Sequence, residues 1–82
     1  MQKLQNDQHR AAMNNADAAV HIGTTPANLR LSRHTGFLYK DIPSPKFLKA
    51  GRKVLYLKSD LDNWLHQLPS YQNTAQVLGR EN

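Results

Sequence analysis

Four consecutive residues, Gly23-Thr24-Thr25-Pro26, leave this chain little freedom in what it can fold into. Glycine reaches the left-handed backbone conformation that ends helices without steric cost. Proline suits the first position of a following helix, where no backbone donor is needed, and the threonine before it offers a hydroxyl to that helix's unpaired amides. The run therefore stops one helix and starts another almost at once. Upstream, Asn14 is a capping residue, Asp17 three residues later makes a capping-box variant, and Ala18, Ala19 and Ile22 give a short apolar stripe. The spacing predicts one helix from about Asn15 to Ile22 and a second from about Pro26 to Thr35, closed by Gly36. Two short helices joined by so tight a turn have the spacing of a helix-turn-helix.

Phe37 to Pro45 carries two prolines and no apolar period, so it reads as a loop. Lys46 to Ala50 and Lys53 to Leu57 are strand-like runs on either side of Gly51-Arg52, which predicts a β-hairpin. Ser59 is the expected cap of a last helix, with Asp60 and Asp62 favourable in its first turn. Leu61, Trp64, Leu65 and Leu68 recur at i, i+3, i+4 and i+7, so that face, Trp64 included, is expected to be core, and Pro69 to end the helix. Residues 1–13 read as a flexible arm and residues 69–82 as a tail in which Ala75, Val77 and Leu78 offer a weak extra turn. The expected domain spans residues 14–68.

With 82 residues, 39% of them hydrophobic, there is room for one domain with a short core. The absence of cysteine removes disulfides and thiolate metal sites and fits a reducing cytoplasm. No apolar run approaches the roughly 20 residues of a membrane helix, and the polar first ten residues do not resemble a secretory signal. The net charge is +5, from eleven Lys and Arg against six Asp and Glu. Its placement says more than its size. Arg30, Arg33, Lys40, Lys46, Lys49, Arg52, Lys53 and Lys58 crowd the middle of the chain, with Asp41 the lone acid among them. A basic centre between less basic ends has the form of a phosphate footprint.

The order helix, turn, helix, basic loop, hairpin, helix supplies a mechanism. The second helix of such a unit enters the major groove of double-stranded DNA. Its outward residues are expected to be Ala27, Asn28, Arg30, Arg33 and His34 beside the capping Thr25, with Leu29 turned to the core. Arginine grips guanine with two hydrogen bonds and asparagine does the same for adenine. Lys49, Arg52 and Lys53 at the hairpin tip are expected on phosphates, as are Lys40, Lys46 and Lys58 around the loop and hairpin base. Each residue also has a plainer reading: Arg30 and Arg33 as a solvated helix face, Asn28 as tolerated surface, His34 as a partner of the helix dipole.

Several stretches resemble the excisionase-like and AlpA-like DNA-binding proteins. Asp17-Ala18-Ala19-Val20-His21-Ile22-Gly23 is similar to their first-helix motif, and Thr25-Pro26-Ala27-Asn28-Leu29 and Arg33-His34-Thr35-Gly36 to the two ends of their second helix. Residues 47–56 resemble their wing, and Ser59-Asp60-Leu61-Asp62-Asn63-Trp64-Leu65 their closing signature. The resemblance implies a MerR-like winged helix-turn-helix, mainly α, with three helices and a two-stranded wing. It also implies a recombination directionality factor without cofactor, one that bends attachment-site DNA so that a site-specific integrase excises a mobile element. The same surface would serve a transcription regulator at a promoter, and a protein-interaction module for an integrase is the reading from another class. Self-association along DNA and a place at the bacterial nucleoid go with the first two. The departures are Ser32 where relatives often carry Trp or Leu, Ala50 where a larger aliphatic is usual, and Leu55 and Leu57 at wing positions that are often Arg.

Catalysis is not expected. There is no P-loop, no paired carboxylates and no Ser-His-Asp arrangement. His9, His21, His34 and His66 lack metal-ligand spacing, so no zinc site is expected.

Overall fold

A computed structural model describes residues 11–75. Within them the order is β1 (Ala12–Met13), α1 (Asn15–Ile22), α2 (Pro26–Thr35), β2 (Leu48–Ala50), β3 (Lys53–Leu57) and α3 (Lys58–His66). The three helices pack with a three-stranded antiparallel sheet of order β1-β3-β2.

The two helix ends expected around the Gly-Thr-Thr-Pro run form by capping. Asn14 accepts the Asp17 amide at 2.8 Å, and the Thr25 hydroxyl accepts the Asn28 amide at 3.1 Å, each offsetting an unpaired donor of a first turn. Gly23 and Gly36 close α1 and α2 with φ of 82° and 88°. Gly51 at φ 65° opens the two-residue turn between β2 and β3, where Ala50 pairs with Lys53.

The core comprises Met13, Ala18, Ala19, Leu29, Tyr56 and Leu61, with Ile22 and Val54 packed against it. The two alanines have no accessible surface, and α1 lies in contact with β1, α2, β3 and α3. Small side chains on α1 let four elements converge on one short helix, so an eight-residue helix organises the whole domain.

Four expectations need correction. The sheet has a third strand: Ala12 pairs with Leu57 and Met13 with Tyr56, so the last residues of the expected arm belong to the fold, and Met13 is buried. A two-residue strand has no periodicity of its own, and its pairing comes from a distant partner. The rest of the expected arm, residues 1–10, lies outside the described residues, as do Val77 and Leu78 of the expected tail. Ser59 does not cap α3. The cap position is Leu57, which makes no side-chain cap bond, because β3 runs directly into the helix. The Lys58 amide is satisfied instead by the Ala11 carbonyl at 2.8 Å, so pairing with β1 does the work of a cap. The helix closes at His66, short of Pro69. Finally, Trp64 is half-buried and stands outside the buried cluster. Its indole Nε1 donates to the Pro43 carbonyl at 2.7 Å, which fastens the loop to α3.

That loop, residues 37–45, is irregular but folded. Leu38 and Pro45 are buried, and Phe37 and Pro43 form an isolated antiparallel bridge. The Leu38 amide reaches the Ile42 carbonyl at 2.7 Å and the Ser44 amide the Gly36 carbonyl at 3.0 Å. The tight reversal between them forces Tyr39 and Asp41 to φ of 101° and 68°, conformations uncommon outside glycine. The Tyr39 hydroxyl donates to the Thr24 hydroxyl at 2.8 Å, tying the loop to the turn between α1 and α2.

Candidate nucleic-acid interface

The buried side of α2 is set by Leu29 and Ser32, with exposures of 0% and 1%. Ser32 satisfies its hydroxyl by donating to the Leu29 carbonyl at 2.6 Å. With Leu29 and Ser32 inward, helical geometry turns Ala27 and His34, at i and i+7, to the centre of the opposite face. Arg30 flanks that row on one side and Leu31, Thr35 and Asn28 on the other; all are exposed. Thr25 spends its hydroxyl as the cap of the helix.

Arg33 departs from the expected outward set. It is half-buried and directed toward the sheet. Its Nη1 donates to Asn15 Oδ1 at 2.7 Å and to the Tyr56 hydroxyl at 2.9 Å, and its guanidinium lies 5.8 Å from the centre of the Phe47 ring. Asn15 in turn donates from Nδ2 to the Pro26 carbonyl at 3.0 Å. One cation thus joins the start of α1, the end of α2, β3 and the residue leading into β2. The long side chain explains the difference: a position at the margin of the buried arc reaches inward when polar acceptors wait there.

The hairpin carries Lys49, Arg52 and Lys53, all exposed, and Lys40 is exposed on the loop. Lys49 lies opposite Val54, while Lys53 lies opposite Ala50 and shares a face with Leu55. Strand alternation places Lys49 and Lys53 on opposite faces of the ribbon. A flat approach would engage only one of them, whereas a tip-first approach presents both together with Arg52.

The remaining two expected cations are partly engaged. Lys58 donates to Asp62 Oδ2 at 2.7 Å, and Lys46, largely exposed, stands 3.8 Å from Asp60. The other oxygen of Asp62 accepts from His21 Nε2 at 2.8 Å, so this carboxylate links α1 to α3. The Lys58 hydrogen bond, followed by that from His21, holds the Asp62 carboxyl below its ordinary value of 3.8.

Sequence reasoning missed Leu31, Tyr39 and Asn15. Leu31 is 59% exposed on α2's outward face, and its four-residue spacing from Ala27 was there to be read. On the far side of the turn, Ile22, Tyr39, Ile42, Pro43, Trp64 and Leu68 help line an open groove of about 770 Å³ between the loop and α3. Among the described residues no helix is long and apolar enough to cross a membrane. No protein-family model matches the chain, and no curated protein matches it either.

Proposed function

We propose that this chain is a winged helix-turn-helix protein that binds double-stranded DNA in a sequence-dependent way, as an excisionase-type accessory factor in site-specific recombination. The observation that carries the DNA-binding reading is the outward face of α2. It is unpacked and bears Asn28, Arg30 and His34, while an exposed hairpin tip adds Lys49, Arg52 and Lys53. Asp41 is the one carboxylate between Pro26 and Ser59. A helix of ten residues, about 15 Å long, fits the major groove. With α2 reading bases, the hairpin meets the adjacent backbone tip-first, as a wing. The protein does no bond chemistry; contacts and DNA deformation supply the energy. One domain of this size covers little DNA, which favours several copies side by side. The excision role rests on the sequence resemblance, and a promoter-bound regulator would use the same surface. The groove between the loop and α3 is the observation that favours a protein partner such as an integrase, on a face separate from α2.

The test is a gel-shift titration with three duplexes: an element's attachment site, the promoter of its integrase gene, and a shuffled control. Laddered shifts preferring the attachment site support the excision factor. Preference for the promoter alone moves the assignment to a regulator. Equal weak binding to all three overturns sequence-dependent recognition.

A further inference from the structure

We infer that α2 reads thymine methyl groups, through an apolar seam formed by Ala27 and Leu31 on its outward face. The inference rests on the DNA-binding reading and adds to it the class of base pair recognised. An exposed leucine alone means little, because apolar atoms make up much of any protein surface. Position makes this one informative. Leu31 is 59% exposed on the side of the helix opposite the buried Leu29 and Ser32, one turn from the exposed Ala27. The seam therefore runs from the centre of the outward face toward one flank, within reach of base edges when the helix lies in a groove.

The chemistry of the groove supplies its partner. The C5-methyl of thymine is the apolar feature that base edges present in the major groove. Ala27 is small enough to let the backbone approach, and Leu31 reaches further. The polar neighbours agree. Asn28 beside the seam has the two-headed amide that pairs with adenine N6 and N7. One A·T pair thus offers an acceptor and a donor to Asn28 and a methyl to the seam. Arg33, engaged by Asn15 and Tyr56, leaves Arg30 as the arginine of α2 free to grip guanine. The outward inventory is accordingly weighted toward A·T pairs. Charge selects DNA over an apolar protein surface as the occupant, since Arg30 and His34 border the seam and no carboxylate occurs from Pro26 to Lys40.

The experiment selects preferred duplexes from a random library with the full chain, then replaces each thymine of the selected site by deoxyuridine. That exchange removes the methyl and preserves base pairing. Fluorescence anisotropy is expected to show one or two positions at which the exchange weakens binding about fourfold, the worth of one buried methyl group. Leu31→Ala should weaken binding to the thymine duplex and abolish the difference between thymine and deoxyuridine at one such position, so that the two changes are not additive. Circular dichroism should show Leu31→Ala folded, as expected for an exposed site. If a sequence-preferring complex tolerates deoxyuridine everywhere within about twofold, the methyl reading is overturned and DNA binding stands. If no sequence preference emerges from selection, the underlying reading fails and this one with it. If Leu31→Ala leaves DNA affinity unchanged but dissociates a self-associated form of the chain, the seam is a protein interface and the inference is wrong.

Discussion

At the scale of single residues, Arg30 and Arg33 separate two jobs that composition merges. Arg33 joins three elements through Asn15, Tyr56 and Phe47, while Arg30 is exposed. Arg33→Ala should destabilise the fold by about 2 kcal/mol in urea denaturation, because hydrogen bonds from a charged donor are lost and the buried Tyr56 hydroxyl is left without its partner. Arg33→Lys should not restore it, since the ammonium stands on a shorter stem and lacks the planar guanidinium that lies over the Phe47 ring. Arg30→Ala should change stability by less than about 0.5 kcal/mol and relax sequence preference on DNA, whereas Arg52→Ala should weaken all duplexes alike. Should Arg33→Ala keep full stability and lose sequence preference, the two arginines would exchange roles. Trp64 is a similar case. Its spacing on α3 was legible, but its degree of burial was not, because the Pro43 carbonyl that meets the indole comes from a loop without periodicity. Trp64→Phe should cost at least about 1 kcal/mol in the same denaturation assay, the worth of the lost hydrogen bond, with the smaller ring adding to it.

At the scale of elements, local chemistry was enough for α1 and α2. Asn14, Thr25, Pro26, Gly23 and Gly36 set their ends through contacts within a few residues, so their bounds could be read from the chain alone. The start of α3 could not, because its first amide is satisfied from Ala11, far away in sequence. The same helix holds the fold's clearest pH dependence. Asp62 has a lowered pKa in the folded state, chiefly through Lys58 and then His21. Its contribution to stability is therefore present at pH values above the ordinary carboxylate pKa and is lost as pH falls through the lowered one. Thermal unfolding followed from neutral pH down to about pH 2 should show a fall in melting temperature below about pH 4. Asp62→Asn should start lower at neutral pH and show a smaller acid-induced drop. An identical slope in both proteins would mean that the link between α1 and α3 does not depend on this charge.

For the whole molecule, the first two helices, the hairpin and the concentration of positive charge were all legible, and the domain's closure was not. The hairpin and two of the helices follow from periodicity and turn residues, but β1 is visible only once β3 exists to receive it. Charge acts at this same scale. If Lys49, Arg52, Lys53 and Lys40 each neutralise a phosphate, the logarithm of DNA affinity should fall with the logarithm of salt at a slope of about −3.6. Anisotropy titrations across a range of potassium chloride would measure it, and a flat response would remove the basic footprint from the mechanism. The shortest strand has a further consequence, for the order of assembly. The α1–α2 pair involves neighbours in sequence and is free to form early, whereas β1 pairs with β3, far along the chain. Closing that long loop belongs to the slow part of folding. During synthesis both helices therefore emerge before Tyr56 and Leu57 are available, and the sheet closes only when the last strand reaches back to the first.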